Sequence, residues 1–526
     1  PFVDSVADCS RPCEYTTGRW LKRDRLQRES RYVAFDFAAL RRKAVALCPK
    51  ARNVASCQKM EGGFNKAFLF TMDSGERIVA RVPTSIAGPR RLTTNSEVAT
   101  MTYIKSKTTI PVPSILDWSD DNSNPVGTEY IFMEHAAGDQ LHNLWNEMSS
   151  LQHLAVIQSI SRMIGQMTNL KFPAFGSIYF QDAPVEPALK FTFEDGFCIG
   201  PHCGPVYWNC SPGEGSLYGN NGYDHDPYLH EFCTGLIASA RSRIPVGGLE
   251  GRKPSYWGTI EEHRNLLNVN ETVLHQLVKS SLLKDSSKPT LLHADLHKRN
   301  IFVSRTDPVE VTAIIDWQAS AVEPAFMYGN ETPDLATRSL REEVLDDSSD
   351  DADHDWLSQK ERDGRAKKEK DLQLCRDAFE VCMKGFAPII GKARSLDGLL
   401  FRPFLHCNTS WRDSITAVWQ DLIELSRRWN DIGLTGACSY APTEIELQTH
   451  ERLYADFQTA QDLKVGLMQR LRTDSDGWVP SSDWDIVKSC HDEWFREWLQ
   501  TAKEAAQEDG SLTEAKAREL WPFDQI

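Results

Sequence analysis

No stretch of this chain approaches the roughly 18 consecutive apolar residues that a membrane-spanning helix needs, so no segment reads as a bilayer anchor. Its 13 cysteines lack a paired framework, and an odd number cannot close completely within one chain. They are therefore expected to be mostly reduced thiols. Cys198, His202, Cys203 and Cys210 lie close together, but they lack the two-residue cysteine knuckle of a zinc site, and Pro and aromatic residues crowd between them. Incidental thiols in an apolar insertion are the favoured reading over zinc. Basic excess is missing too: 59 Lys and Arg against 74 Asp and Glu give a net charge of −15. That excludes broad nucleic-acid affinity and favours a neutral or cationic acceptor, with plain solubility as the alternative. No internal repeat is evident. Asp474-Ser475-Asp476-Gly477 hints at a calcium loop, but Arg472 stands at the first ligand position, so calcium is not expected. The chain starts at Pro1 rather than Met, and a targeting segment is expected to have been removed upstream.

What is present points to phosphoryl transfer. Leu291-Leu292-His293-Ala294-Asp295-Leu296-His297-Lys298-Arg299-Asn300-Ile301-Phe302-Val303 is followed by Ile314-Ile315-Asp316-Trp317. Thr290 to His293 and Ile301 to Ser304 are short apolar or β-branched runs, so Asp295 and Asn300 fall on a loop held between two strands. Arg305-Thr306-Asp307-Pro308 has hairpin-turn chemistry, and the third strand, Val309 to Ile315, brings Asp316 back beside Asn300. Steering a hydroxyl to a nucleotide's terminal phosphate needs a carboxylate aimed at the acceptor. It also needs an amide oxygen and a second carboxylate aimed at a divalent metal. Asp295, Asn300 and Asp316 supply that set. Ordinary loop polars are the bland alternative, which the compound pattern disfavours.

Such a site requires a glycine turn over the phosphates, a cation on a nearby strand and a helical glutamate to hold it. All occur upstream in order. Met60-Glu61-Gly62-Gly63-Phe64-Asn65-Lys66-Ala67-Phe68 joins a turn to the run Phe68 to Met72, and Asp73-Ser74-Gly75 turns the chain into Arg77-Ile78-Val79-Ala80-Arg81-Val82-Pro83. Arg81 occupies the place of a phosphate-binding cation. Ser96-Glu97 opens a helical run in which Ser96 is expected to cap and Glu97 to reach Arg81; a surface Arg and a solvated Glu are the alternative. Of His297 and Arg299, Arg299 is the preferred group to face the transferring phosphate, and a surface basic pair is its alternative. His293 is expected to make a buried hydrogen bond that shapes the loop.

The chain resembles the aminoglycoside phosphotransferase and choline-kinase-like superfamily, and within it a fungal subgroup that includes altered inheritance of mitochondria protein nine. The resemblance is carried by Tyr15-Thr16-Thr17-Gly18-Arg19-Trp20, Glu61 to Asn65, Ile78 to Pro83, Ser96 to Met101 and Tyr130-Ile131-Phe132-Met133-Glu134. It continues in Asp295 to Ile301, Ile315 to Gln318, Glu323-Pro324-Ala325-Phe326, Asn330-Glu331-Thr332-Pro333-Asp334 and Asp476-Gly477-Trp478-Val479-Pro480. It implies an α+β, protein-kinase-like two-lobe fold, with a small β-rich lobe, a larger, mainly helical lobe and helical extensions at both ends. It also implies ATP and magnesium as cofactors. Asp295 would orient or deprotonate the acceptor hydroxyl, and Asn300 and Asp316 would hold the metal. Gly62, Gly63, Asn65, Arg81 and Glu97 would serve the nucleotide phosphates. Met133 would lie beside the adenine pocket, with backbone groups near Glu134 and Ala136 meeting the adenine edge. Arg81 departs from the Lys of the wider superfamily; it is bulkier and always charged.

A chain of 526 residues exceeds one typical core, and 41% hydrophobic with 10% aromatic residues makes it globular. The expected organisation is a helical extension over 1–50, including an amphipathic helix from Phe37 to Leu47, and a small lobe over 51–135. A large lobe follows over 136–371, then a helical region over 372–526 packed on it. Leu151 to Leu170 reads as helix, Phe175 to Pro227 as ordered loops, and Asp346 to Asp353 as a solvated acidic loop. The leading expectation is a small-molecule kinase acting on a hydroxyl-bearing acceptor; the rival is a noncatalytic scaffold or mitochondrial assembly factor. Adenylyl transfer to protein would need an inverted nucleotide and has no positive support. A mitochondrial location follows from resemblance, with cytoplasm as the alternative, and the terminal extensions are the place expected for any protein partner.

Overall fold

The computed structural model describes residues 9–208, 229–244, 254–329, 331–337, 359–508 and 512–525. Cys210 and the Asp346–Asp353 patch lie outside the described residues. The chain opens with β1 (Gly18–Trp20), α1 (Asp24–Ser30) and α2 (Phe37–Ala46). Asp36 caps α2 by accepting from the Ala39 amide at 2.8 Å, satisfying one of the donors a helix start leaves unpaired.

The small lobe is one antiparallel sheet built from β2 (Val54–Glu61), β3 (Asn65–Met72), β4 (Arg77–Pro83), β5 (Ile115–Ser119) and β6 (Tyr130–Glu134), in the order β2-β3-β4-β6-β5. Strand alternation sorts its two faces. Phe68, Phe70, Ile78, Ala80, Val82 and Phe132 pack with Leu40 and Ala44 of α2. Val79, Ile131 and Met133 turn to the other side, towards α3 (Leu92–Lys107), and Arg81 shares their face by period. The expected start of α3 at Ser96 is corrected: the helix begins at Leu92 and buries Ser96 inside it. Its first turn is served from outside, because Glu129 accepts from the Arg91 amide at 2.9 Å and from Thr94 Oγ1 at 2.7 Å.

After β6 the chain crosses to the large lobe through β7 (Asp139–Gln140), which pairs with the Ile301–Val303 strand. Gly138 makes this crossing feasible: it has φ +94, and a Cβ there would sit 2.0 Å from the Val303 carbonyl oxygen. The Ser150–Asn169 helix starts with a Ser149/Gln152 capping box and packs along the Gln359–Phe386 helix. That second helix runs unbroken across the expected boundary at 371/372. Phe175 to Pro227 is not all loop either. Within its described part, β8 (Ser177–Phe180), β9 (Phe191–Glu194) and β10 (Phe197–Gly200) form a three-stranded antiparallel sheet, ordered β8-β10-β9.

The segment that carries Asp295, Asn300 and Asp316 lies on β11 (Pro289–Leu292), β12 (Ile301–Val303), β13 (Val311–Ile314) and β14 (Ala321–Pro324). β11 pairs with β14, and β12 lies between β13 and β7. The carboxy-terminal part is mainly helical, with long helices at Ile415–Arg428, Glu444–Leu471 and Trp484–Glu508. Its short strand β15 (Trp478–Pro480) pairs antiparallel with β1, Trp20 opposite Trp478, so the two ends of the chain are joined. No helix among the described residues is long and apolar enough to cross a membrane.

Candidate active site

Arg81 is the hub of the site. Its Nη1 pairs with Glu97 on α3, and its Nη2 lies 2.5 Å from Asp316 Oδ1 and 2.9 Å from Gln318 Oε1. Burial alone would lower the Arg81 pKa, but Asp316 and Glu97 more than offset that and raise it. Glu97 is 3% exposed, and burial pushes its carboxyl up to about 7 against the pull of Arg81. Asn65, at the start of β3, lies against the same group; with its amide oxygen towards the guanidinium it accepts from Arg81 Nε at 3.2 Å. Gln318 is tied in turn to the Ala87 carbonyl at 3.2 Å.

The loop after β11 is held by His293. Its Nδ1 accepts from the Asp295 amide at 3.1 Å, so Nε2 carries the proton and donates to the Ile315 carbonyl at 2.9 Å. One buried ring thereby connects the Asp295 loop to the end of β13, and burial lowers its pKa, keeping it neutral. Asn300 donates from Nδ2 to the Asp295 carbonyl at 2.8 Å and to Asp295 Oδ2 at 3.0 Å. Its amide oxygen is therefore the atom oriented to serve a cation. Asp316 follows in the left-handed region at φ +67, a conformation that Asp tolerates better than most residues. This backbone turn aims its carboxylate at Arg81.

Asp295 has a second partner. His297 Nε2 lies 2.8 Å from Asp295 Oδ1, while His297 Nδ1 lies 3.8 Å from Asp334 Oδ1. The contact with Asp295, then the nearby Asp334 carboxylate, raises the His297 pKa to about 10. Burial would raise the Asp295 pKa, but His297 and Asn300 outweigh it, so the carboxylate is held below its ordinary range. Asp334 also accepts from the Lys298 amide at 2.8 Å, which fixes the turn.

The remaining expected residues are distributed as follows. Arg299 turns away from Asp295, and its Nη2 lies 3.5 Å from His142 Nε2. Lys298–Asn300 is a single 3-10 turn, in which neighbouring side chains diverge by about a third of a revolution. With Asn300 facing Asp295, Arg299 takes another direction, and the direct side-chain partner of Asp295 Oδ1 is His297. Gly62 and Gly63 form the turn between β2 and β3, closed by the Gly62 amide on the Asn65 carbonyl at 2.9 Å, and nothing lies within 4 Å of a Cβ built at Gly63. Met133 is buried near the end of β6, the Glu134 amide bonds the Ser114 carbonyl at 3.0 Å, and Ala136 is buried just beyond. Gln318, His297 and Asp334 carry contacts that sequence reasoning did not assign. The Asp316-Trp317-Gln318 run and the Asn330–Asp334 motif were the signals available.

Among the described residues, the side chains of the two metal patterns weighed in the sequence have other partners. Cys198 Sγ faces the Phe180 carbonyl, Cys203 Sγ faces Ser177 Oγ, and His202 Nε2 faces Glu323 Oε1, so these groups do not converge. Asp474 Oδ1 accepts from the Asp476 and Trp478 amides at 3.0 and 2.8 Å, which closes a local turn.

Residues 210–327 match the family model described as phosphotransferase enzyme family, APH. A subtelomeric hrmA-associated cluster protein of Aspergillus fumigatus is 29% identical over 311 residues, covering 53% of this chain and 59% of that one. The chain thus spans about three-fifths of the length of the first curated relatives it matches. Altered inheritance of mitochondria protein 9, mitochondrial, is 24% identical in Yarrowia lipolytica over 61% of this chain and 60% of that one. Its Clavispora lusitaniae counterpart is 21% identical over 90% and 87%. Among solved structures, the streptomycin–ATP ternary complex of APH(2″)-IIa is 10% identical, covers 77% of this chain and 100% of that one, and has a TM-score of 0.37. Amicoumacin kinase hAmiN with AMP-PNP and Ca2+ is 14% identical over 80% and 93%, with a TM-score of 0.36. Over residues 210–327 the chain thus resembles the phosphotransferase enzyme family, and over a longer stretch it is similar to the fungal altered-inheritance-of-mitochondria-9 proteins.

Proposed function

We propose that this protein is an ATP-dependent phosphotransferase that moves a γ-phosphoryl group to an acceptor hydroxyl of a small molecule, with magnesium. The observation that carries the reading is the convergence of Asp295, Asn300 and Asp316 with the Arg81–Glu97 pair across the two lobes. Asn300 Oδ1 and the Asp316 carboxylate are hard oxygen donors, the set a hard divalent cation takes. Bound there, the cation would neutralise phosphate charge. Asp295 orients the acceptor hydroxyl and receives its proton, with His297 and Asn300 fixing the carboxylate plane. Arg81 exchanges its Asp316 contact for nucleotide phosphate while Glu97 keeps it aligned. With the Gly62 amide closing the turn, the Gly63 amide lies over the phosphates, and the Glu134 carbonyl and Ala136 backbone serve adenine beside Met133. Arg299, whose Nη2 lies near His142, serves the charge that spreads over the transferring phosphate. The names of the relatives support a mitochondrial location.

Comparing metabolite extracts treated with wild type and Asp295→Ala tests this reading. A product heavier by one phosphoryl group, made by wild type alone, is expected; its absence over a broad extract with ATP and magnesium overturns it.

The second reading, a noncatalytic kinase-like scaffold, is favoured by one contact: Asp316, the metal ligand, is already paired with Arg81. On that reading ATP and magnesium leave the Tm unchanged.

A further inference from the structure

The N-terminal extension runs along one face of β2 and meets it at every second residue. Cys9 meets Cys57; the Arg11 and Glu14 carbonyls accept from Lys59 Nζ at 2.9 and 3.3 Å; the Thr16 and Thr17 amides donate to Glu61 Oε2 at 2.7 and 2.8 Å. Strand period 2 places Cys57, Lys59 and Glu61 on that one face. Lys59 and Glu61 form an ion pair at 2.7 Å with both side chains 0% exposed. A one-residue slip of the extension would strip buried charges of their partners, so the register is strongly held. That register fixes Cys9 opposite Cys57. The two Sγ atoms lie 3.1 Å apart, inside ordinary sulfur contact, and Cys9 Sγ is also 3.4 Å from the Cys57 carbonyl oxygen. Neither sulfur is engaged in a disulfide, and both residues are half-buried rather than sealed in the core. Cys13, by contrast, points its Sγ at the Phe35 carbonyl.

We propose that Cys9 and Cys57 form an oxidative modification site, closing into an intrachain disulfide that fastens the extension to the strand leading into the Gly62-Gly63 turn. The oxidant is a hydroperoxide. One thiolate attacks its O–O bond and becomes a sulfenic acid, while the distal oxygen leaves as water or alcohol. The second sulfur then attacks the sulfenic sulfur, the S–S bond forms, and the sulfenic oxygen leaves as water with the second thiol's proton. Two thiols lose two electrons, and the hydroperoxide takes both. The bond closes a loop between positions 48 apart, which restricts the unfolded chain.

The test treats the full chain with hydrogen peroxide, alkylates the remaining thiols and maps peptides without reduction. A monomer carrying the Cys9 peptide joined to the Cys57 peptide, released by a thiol reductant, is expected. The oxidised wild type should melt roughly 2–4 °C higher than the reduced form. Cys9→Ser and Cys57→Ser should show no such oxidation-dependent rise. Both thiols recovered alkylated, separate sulfinic acids, or bonds to other cysteines or a second molecule would overturn the assignment. The mapping uses wild type, so a poorly folding variant does not blunt it.

Discussion

Arg81 on the small-lobe sheet and Asp316 at the end of a large-lobe strand stand 235 residues apart in sequence and meet at 2.5 Å. The contact joins the small-lobe sheet to the turn that follows β13. Arg81 thus balances two carboxylates, Glu97 being the more deeply buried. Arg81→Ala should leave Glu97 buried and unpaired, a change that costs about 3–5 kcal/mol when the charge persists. Glu97 already sits near neutrality, so proton uptake will trim that loss most at low pH. Arg81→Lys keeps a cation but loses the fork, and about 1–2 kcal/mol is expected. Denaturant titration at pH 6 and pH 8 measures both; equal losses for Ala and Lys would contradict the hub role.

His297 gives a pH signature. Its folded pKa, about 10, lies above its ordinary value of 6.5, because Asp295 and Asp334 favour the charged ring. The stabilisation is therefore complete below pH 6.5 and is lost as pH rises through about 10. The side chain is half-exposed, so solvent screens the pair and the effect is small. His297→Gln should melt below wild type at pH 6 and converge with it near pH 10. A gap that widens with pH would reverse the sign and refute the pairing.

Much of this site could be seen in the chain because its parts obey local periods. Asp295 and Asn300 lie on one loop between short apolar strands, and strand alternation together with helix spacing brings Arg81 to Glu97. The missed features depend on distant partners. The start of α3 is set by Glu129, which supplies the capping acceptor from beyond the helix. The β1–β15 pair involves three residues from each end of the chain, too short to leave a periodic signal. Gln318 and Asp334 are ordinary polar residues until the fold brings them to Arg81 and His297. The pairing of His297 with Asp295 and Asp334 depends on the single tight turn at Lys298–Asn300, too short to leave a periodic signal.

The crossing between lobes depends on one glycine. Gly138 combines φ +94 with a built Cβ only 2.0 Å from the Val303 carbonyl, whereas Gly75 has φ +86 with nothing within 4 Å. Gly75→Ala should cost about 1 kcal/mol from backbone strain alone. Gly138→Ala must also displace β12, and more than about 2 kcal/mol is expected. Comparable losses in the two variants, measured by denaturation, would show that β12 yields freely.

Asp316→Asn separates charge from backbone at the proposed metal ligand. Asn tolerates the left-handed conformation that Asp316 adopts at φ +67, so the turn after β13 should persist. The variant keeps an oxygen near Arg81 Nη2 but loses the negative charge that would attract a divalent cation. Without ligand its Tm should stay near that of wild type, because Glu97 still holds Arg81. With ATP and magnesium the wild type should gain stability by mass action, about 2.7 kcal/mol at a hundredfold excess over Kd. Asp316→Asn should lose most of the magnesium-dependent part and respond to ATP as wild type does in a chelator. A full magnesium-dependent rise in Asp316→Asn would remove Asp316 from the metal site and leave its pairing with Arg81 as its role.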